Sequence, residues 1–191
     1  MVSGAPLESS RMPDARTVRL FALDVDGVLT DNGLYLGAVG DQRVELKRFD
    51  IQDGLGLALL RGTGIELALV SARPSEATTL RAAELRLSHV LQVTDGRKIP
   101  ALQGLLDELG IDWAEVAFLG DDLADIPVLK KVGLPMAVEN AIPEVKALAR
   151  YVTRAPGGHG AVREAVEHLL RERGEYSAAV SRYLADREAM P

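Results

Sequence analysis

The sequence predicts an α/β fold, a doubly wound parallel sheet with a β-hairpin inserted after its first strand. Three observations predict it. Short apolar runs without polar alternation recur along the chain, as strands buried on both faces require. Helical patterns separate these runs. Carboxylates follow directly on two of them, at what would be the carboxyl edge of a parallel sheet, where ligands bind.

Residues 1–16 contain Ser, Pro and Gly without a period and read as a mobile lead-in. The first strand is Val18-Arg19-Leu20-Phe21-Ala22-Leu23-Asp24-Val25, an apolar run that ends in carboxylates. Residues 34–37 and 43–49 are strand-like, with a turn at 38–41, so the segment at about 33–49 forms a hairpin. Further strands are expected at 65–70, 89–93, 115–119 and 134–138. Helices are expected at 54–61, 75–87, 100–109, 123–132 and 143–150, and again from about Gly160. The alternation is Rossmann-like. It makes residues 17–173 one domain and residues 174–191 a helical C-terminal tail, charged or frayed.

The 191-residue chain is long enough to bury one substantial core. Its 47% hydrophobic and 26% charged residues are an ordinary globular balance. With no Cys, a disulfide framework, a zinc–thiolate site and a thiol nucleophile are all excluded. The absence of Cys fits a reducing cytoplasm. A net charge of −6 argues against nucleic acid as a partner, which would require a basic face. No apolar run reaches the roughly 18 residues of a membrane span, and the N-terminus does not read as a signal peptide.

The chemistry concentrates in Asp24-Val25-Asp26-Gly27, directly after the first strand. Alone, an Asp-x-Asp is as well read as a solvated turn. A second cluster, Gly120-Asp121-Asp122-Leu123-Ala124-Asp125, follows another predicted strand. So many carboxylates at one sheet edge repel one another unless a cation intervenes, and hard oxygen ligands from separate loops suit Mg²⁺. Ser71 ends the 65–70 strand and could offer its hydroxyl to phosphoryl oxygens; its plain alternative is a helix N-cap. Lys98, just before the helix that Pro100 opens, could neutralise a transferring phosphoryl group; its plain alternative is a surface charge. The four elements in order, each at a strand end, are far more specific than any one of them.

In these four motifs the sequence resembles the haloacid dehalogenase superfamily. The resemblance implies Asp24 as nucleophile and Asp26 as general acid/base, with Ser71 and Lys98 on the phosphoryl group. Mg²⁺ would be held by Asp24, the Asp26 carbonyl and Asp121, supported by Asp122 and Asp125. Relatives that keep a long-lived aspartyl phosphate have Thr at the second Asp, so Asp26 favours a phosphatase. The intervals from Asp26 to Ser71 and from Ser71 to Lys98 are too short for a cap domain.

In detail the chain is similar to the 3-deoxy-D-manno-octulosonate 8-phosphate phosphatases over about residues 20–173. The matching segments include Gly33-Leu34-Tyr35, Phe49-Asp50-Ile51-Gln52-Asp53-Gly54, Ser71-Ala72-Arg73 and Ala155-Pro156-Gly157-Gly158-His159-Gly160. The resemblance implies a capless cytoplasmic homotetramer, associated through its hairpins, in which the Gly-rich C-terminal segment helps close a neighbouring site. It implies an acidic keto-sugar phosphate as substrate, with Arg73, His159 and Arg163 as candidate contacts. His159 stands where the family usually has Arg. Ser71-Ala72 stands for the usual Thr-Gly. Without the resemblance, Gly157 to Gly160 reads as a connector, Arg73 and Arg163 as surface ion pairs, and His89, His168 and Trp113 as structural. Two other readings share these motifs: a nonulosonate 9-phosphate or broader sugar-phosphate phosphatase, and a non-catalytic tetrameric module. The intact motif residues argue against the second.

Overall fold

The structure, a computed structural model, describes residues 15–189. The lead-in expected at 1–16 lies almost wholly outside them; its last two residues belong to a 3-10 turn, Ala15–Thr17.

Eight strands and seven helices follow among the described residues. They are β1 (Leu20–Leu23), β2 (Tyr35–Val39), β3 (Gln42–Leu46), α1 (Ile51–Leu59), β4 (Glu66–Ser71), α2 (Glu76–Glu84), β5 (His89–Gln92) and α3 (Lys98–Leu109). Then come β6 (Val116–Gly120), α4 (Ile126–Leu129), β7 (Leu134–Ala137), α5 (Pro143–Lys146), β8 (Tyr151–Val152), α6 (Ala161–Glu172) and α7 (Tyr176–Glu188). Six strands form one sheet in the order β5-β4-β1-β6-β7-β8, every pairing parallel. From β1 the chain builds outward through β4 and β5, then returns to place β6 on the other side of β1. That reversal is the switch point of a doubly wound sheet, and it opens a crevice beyond the carboxyl ends of the strands.

The two central strands explain why this arrangement is stable. All residues of β1 and β6 are buried, so their apolar runs face helices on both sides. The long amphipathic helix α6 covers one face. Its Ala161, Val162, Ala165, Val166, Leu169 and Leu170 are wholly buried, and it packs along α1. At that contact Gly56 is required, because a Cβ there would lie 2.6 Å from the Arg163 Cα.

The hairpin is an independent two-stranded sheet, antiparallel from Tyr35↔Leu46 to Val39↔Gln42, with a tight Gly40-Asp41 turn. A single bridge, Thr30↔Phe49, ties its base to the loop after β1.

The structure corrects several expected boundaries. α1 starts at Ile51 rather than Gly54 because Asp50 caps it, accepting from the Gln52 N–H at 2.7 Å. The helix expected at 123–132 is a 3-10 turn, Leu123–Asp125, followed by the four residues of α4. Asp125 Oδ2 accepts the Asp121 and Asp122 N–H groups at 2.9 and 3.4 Å and so closes the 3-10 turn. The helix expected at 143–150 is also short, and the two-residue β8 beyond it is too brief for a periodic signal. Lys98 is the first residue of α3, not the residue before it. The tail is helical: α7 rests on α1 and α6 through the buried Ala179.

Candidate active site

Two parallel strands, β1 and β6, deliver the carboxylates of the candidate site, and the first turn of α3 delivers Lys98. β1 delivers Asp24, whose N–H donates to the Leu119 carbonyl of β6 at 3.0 Å. The loop then tightens on the Val25 carbonyl, which accepts from the N–H groups of Leu29 and Thr30 at 3.0 Å each. The buried Thr30 hydroxyl also donates to that carbonyl. Gly27 adopts φ +91°, and a Cβ on it would lie 2.0 Å from Asp121 Oδ2. Only glycine lets the first acidic loop approach the second this closely.

β6 delivers Asp121. Asp125, fully buried one turn later, braces the group: its Oδ2 accepts the Asp121 N–H at 2.9 Å, and its Oδ1 accepts Lys98 Nζ at 2.7 Å. Lys98 Nζ lies equally close, 2.7 Å, to Asp24 Oδ1. Carboxylate oxygens of Asp24, Asp121 and Asp125 lie within 4.8 Å of one another.

Electrostatics follow from that crowding. Burial, then the Asp125 charge, raises the Asp24 carboxyl to about 6 against the pull of Lys98. Burial, then Asp24 and Asp125, raises Asp121 to about 8. Burial opposes the Lys98 charge, but Asp24 and Asp125 outweigh it and hold that ammonium above its ordinary value. One lysine therefore does not balance three carboxylates. Asp121 Oδ1 is buried and has no hydrogen-bond partner, whereas both oxygens of Asp125 are engaged. An orphaned carboxylate oxygen beside the Asp24 carboxylate suits a hard divalent cation such as Mg²⁺.

The other expected residues stand apart from this cluster. The Asp26 carboxylate pairs with Lys47 Nζ at 2.6 Å. The Asp122 side chain is spent on the Leu123 N–H at 2.7 Å, capping the 3-10 turn. The Ser71 hydroxyl is buried but donates to the Arg73 carbonyl of its own loop at 2.9 Å. Arg73 forms an ion pair with Glu45 of the hairpin, and Arg163 with Glu167 one turn along α6 at 2.9 Å. His159 is exposed.

The segment from Gly157 to Gly160 is not a free lid in this structure. The Gly158 N–H donates to the Val28 carbonyl at 3.0 Å, and a Cβ on Gly157 would lie 1.8 Å from the Gly27 carbonyl oxygen. It braces the Asp24–Asp26 loop of the same chain. Asn140 clamps the contact, its side chain accepting from the Gly157 N–H at 2.6 Å and donating to the Gly27 carbonyl at 3.2 Å. Asp53, fully buried on α1, receives the N–H groups of Gly160 and Arg163 at 3.3 and 3.0 Å and so caps α6 from outside. Asn140, Asp53 and Lys47 carry no signal of these contacts in the sequence. A lone Asn in a loop, an Asp in a first helical turn and a Lys at a strand end all read as ordinary surface residues.

The sheet, its switch point and the four motifs define a haloacid dehalogenase-like hydrolase, and the family model of that description matches residues 92–164. Over 174 residues the chain is 41% identical to 3-deoxy-D-manno-octulosonate 8-phosphate phosphatase KdsC of Escherichia coli strain B, covering 91% of this chain and 90% of that protein. The crystal structure of the Moraxella catarrhalis phosphatase of the same name, in complex with magnesium, phosphate and KDO, superposes with a TM-score of 0.82 at 37% identity. That match covers 88% of this chain and 95% of the other. The corresponding Yersinia pestis structure gives 0.80 at 38% identity, over 85% and 86%. The chain belongs to the 3-deoxy-D-manno-octulosonate 8-phosphate phosphatase family.

Proposed function

We propose that this chain is a Mg²⁺-dependent phosphatase that hydrolyses 3-deoxy-D-manno-octulosonate 8-phosphate by way of an aspartyl phosphate on Asp24. The observation that carries the reading is the Asp24, Lys98, Asp121 and Asp125 cluster at the sheet edge. It occurs in a chain 41% identical, over 91% of its length, to an enzyme named for that substrate.

In the first step an Asp24 oxygen attacks phosphorus while the bond to the sugar oxygen breaks, and Asp26 protonates the departing alkoxide. In the second, Asp26 takes a proton from water, which attacks the same phosphorus and frees Asp24. Lys98, fixed between Asp24 and Asp125, offsets the charge of the transferring group. Ser71 joins it by exchanging its bond to the Arg73 carbonyl for one to a phosphoryl oxygen. Bound Mg²⁺ supplies charge neutralisation that lets an anion approach an anion. Asp24, the Asp26 carbonyl and Asp121 hold it, with Asp122 and Asp125 shaping the loop behind them.

Arg73, His159 and Arg163 are the candidate contacts for the acidic sugar. Each of the two arginines would first exchange an ion pair on its own subunit. The same reading makes the protein a cytoplasmic homotetramer that serves lipopolysaccharide synthesis. The substrate is tested by comparing kcat/KM across a panel of eight- and nine-carbon keto-acid phosphates with Mg²⁺. A preference for the eight-carbon 8-phosphate supports the assignment, and a preference for a nine-carbon 9-phosphate overturns it.

A further inference from the structure

Lys47 follows directly on β3, in a hairpin whose other side chains are mostly exposed. Yet its own side chain is only 1% exposed. An ammonium is costly to bury unless it is paired. Its closest partner is Asp26, Nζ to Oδ1 at 2.6 Å. It also donates to the Thr78 hydroxyl of α2 at 3.2 Å, and Glu45 Oε1 lies 3.9 Å away. So the lysine is fixed from the α2 side and turned onto one carboxylate of the Asp24–Asp26 loop.

Holding the hairpin in place does not account for this contact. Glu45 already ties the hairpin to Arg73 and to the Ser75 hydroxyl, and Thr30↔Phe49 ties its base. Asp26, by contrast, has Lys47 as its ion-pair partner among the described residues, and its side chain is 28% exposed. A carboxylate on a loop, partly open to water, has several rotamers available. A proton donor must face one oxygen atom of the substrate, and small misplacements are expensive in rate.

We propose that Lys47 is a positioning residue for Asp26: its ammonium fixes the carboxylate that transfers the proton, and the hairpin thereby becomes a working part of the site. This rests on the reading of Asp26 as general acid/base. In a domain that closes its site with no inserted cap, the hairpin takes over one of a cap's tasks.

The test uses the full chain with Mg²⁺ and two substrates, phenyl phosphate and 4-nitrophenyl phosphate. Phenol, with a pKa of about 10 like the Tyr side chain, needs a proton as it leaves; 4-nitrophenol is far more acidic and does not. A positioned general acid is worth roughly 10²–10⁴-fold. Lys47→Met is therefore expected to lower kcat/KM for phenyl phosphate at least about tenfold more than for 4-nitrophenyl phosphate. Lys47→Arg should recover part of that difference. On an Asp26→Asn background, Lys47→Met should change the ratio no further, because the group it positions is already gone. The ratio is taken within one preparation, so a misfolded fraction cancels. Equal losses on both substrates, no loss, or an undiminished effect on the Asp26→Asn background would each overturn the proposal. A wild-type protein that released phosphate from neither ester nor from 3-deoxy-D-manno-octulosonate 8-phosphate would instead refute the phosphatase reading beneath it.

Discussion

Asp121 carries the clearest electrostatic signature in the molecule. Its carboxyl is raised from 3.8 to about 8 by burial, then by Asp24 and Asp125. A carboxyl raised in the folded state binds more protons folded than unfolded, so metal-free stability falls as pH climbs from about 3.8 towards about 8. Asp24, raised to about 6, adds to the loss over the lower part of that range. A divalent cation removes the repulsion, so its stabilising effect should grow with pH. The Mg²⁺-induced rise in Tm, measured by calorimetry against a chelated sample, is expected to be several degrees larger near pH 8 than near pH 5. An Asp121→Asn variant should lose most of that pH dependence together with its affinity for Mg²⁺. A Mg²⁺ effect of constant size across the range would show that the cluster is not where the cation binds. Asp24 and Asp121 were legible in the sequence because strand ends are visible as the ends of apolar runs, and Lys98 because Pro100 marks the start of a helix. The Lys98 contacts to two carboxylates were not, since they join residues 74 and 27 positions apart that only the fold brings together.

Among the elements, α6 bears most directly on the site. Its buried face is apolar throughout, and burying a Val or Leu side chain is worth about 1.5–3 kcal/mol. Cutting the chain at Gly157 would therefore remove part of the core along with the segment expected to act as a lid. Asp53→Ala is a finer test. It leaves the N–H groups of Gly160 and Arg163 without their acceptor, which costs about 1–3 kcal/mol. The expected outcome is a lower urea midpoint with an unchanged slope, and a lower kcat, because α6 carries the loop that braces Gly27 and Val28. Unaltered stability would show that water replaces the carboxylate. Five of the six strands of the sheet were readable from sequence because each is a short apolar run between helical patterns; the two-residue β8 was not. Helix lengths around Pro127 and Pro143 were not, because Pro at the start of a helix permits it without deciding how far it continues. The hairpin was readable from its turn, whereas Lys47 facing inward was not: strand alternation alone does not tell which face of a two-stranded ribbon meets the domain.

For the molecule as a whole, the hairpin leaves a surface that a monomer would rarely keep. Tyr35, Leu36, Val39 and Leu46 are each more than 60% exposed on a two-stranded ribbon, which is marginal in water by itself. Association through the hairpins should yield a homotetramer, and light scattering at micromolar concentration checks it. Replacing Leu36 and Val39 together by Ser is expected to give smaller species and reduced activity, since Glu45 and Lys47 reach the site from the same ribbon. A wild-type protein that scattered as a monomer would contradict this assembly. Hydrolysis through Asp24 is measured by phosphate release from 3-deoxy-D-manno-octulosonate 8-phosphate. The expected outcome is release by the wild-type protein with Mg²⁺, none after chelation, recovery when Mg²⁺ is restored, and less than about 1% of wild-type kcat for a folded Asp24→Asn variant. Sustained phosphate release by Asp24→Asn, or full release by the chelated wild type, would contradict it.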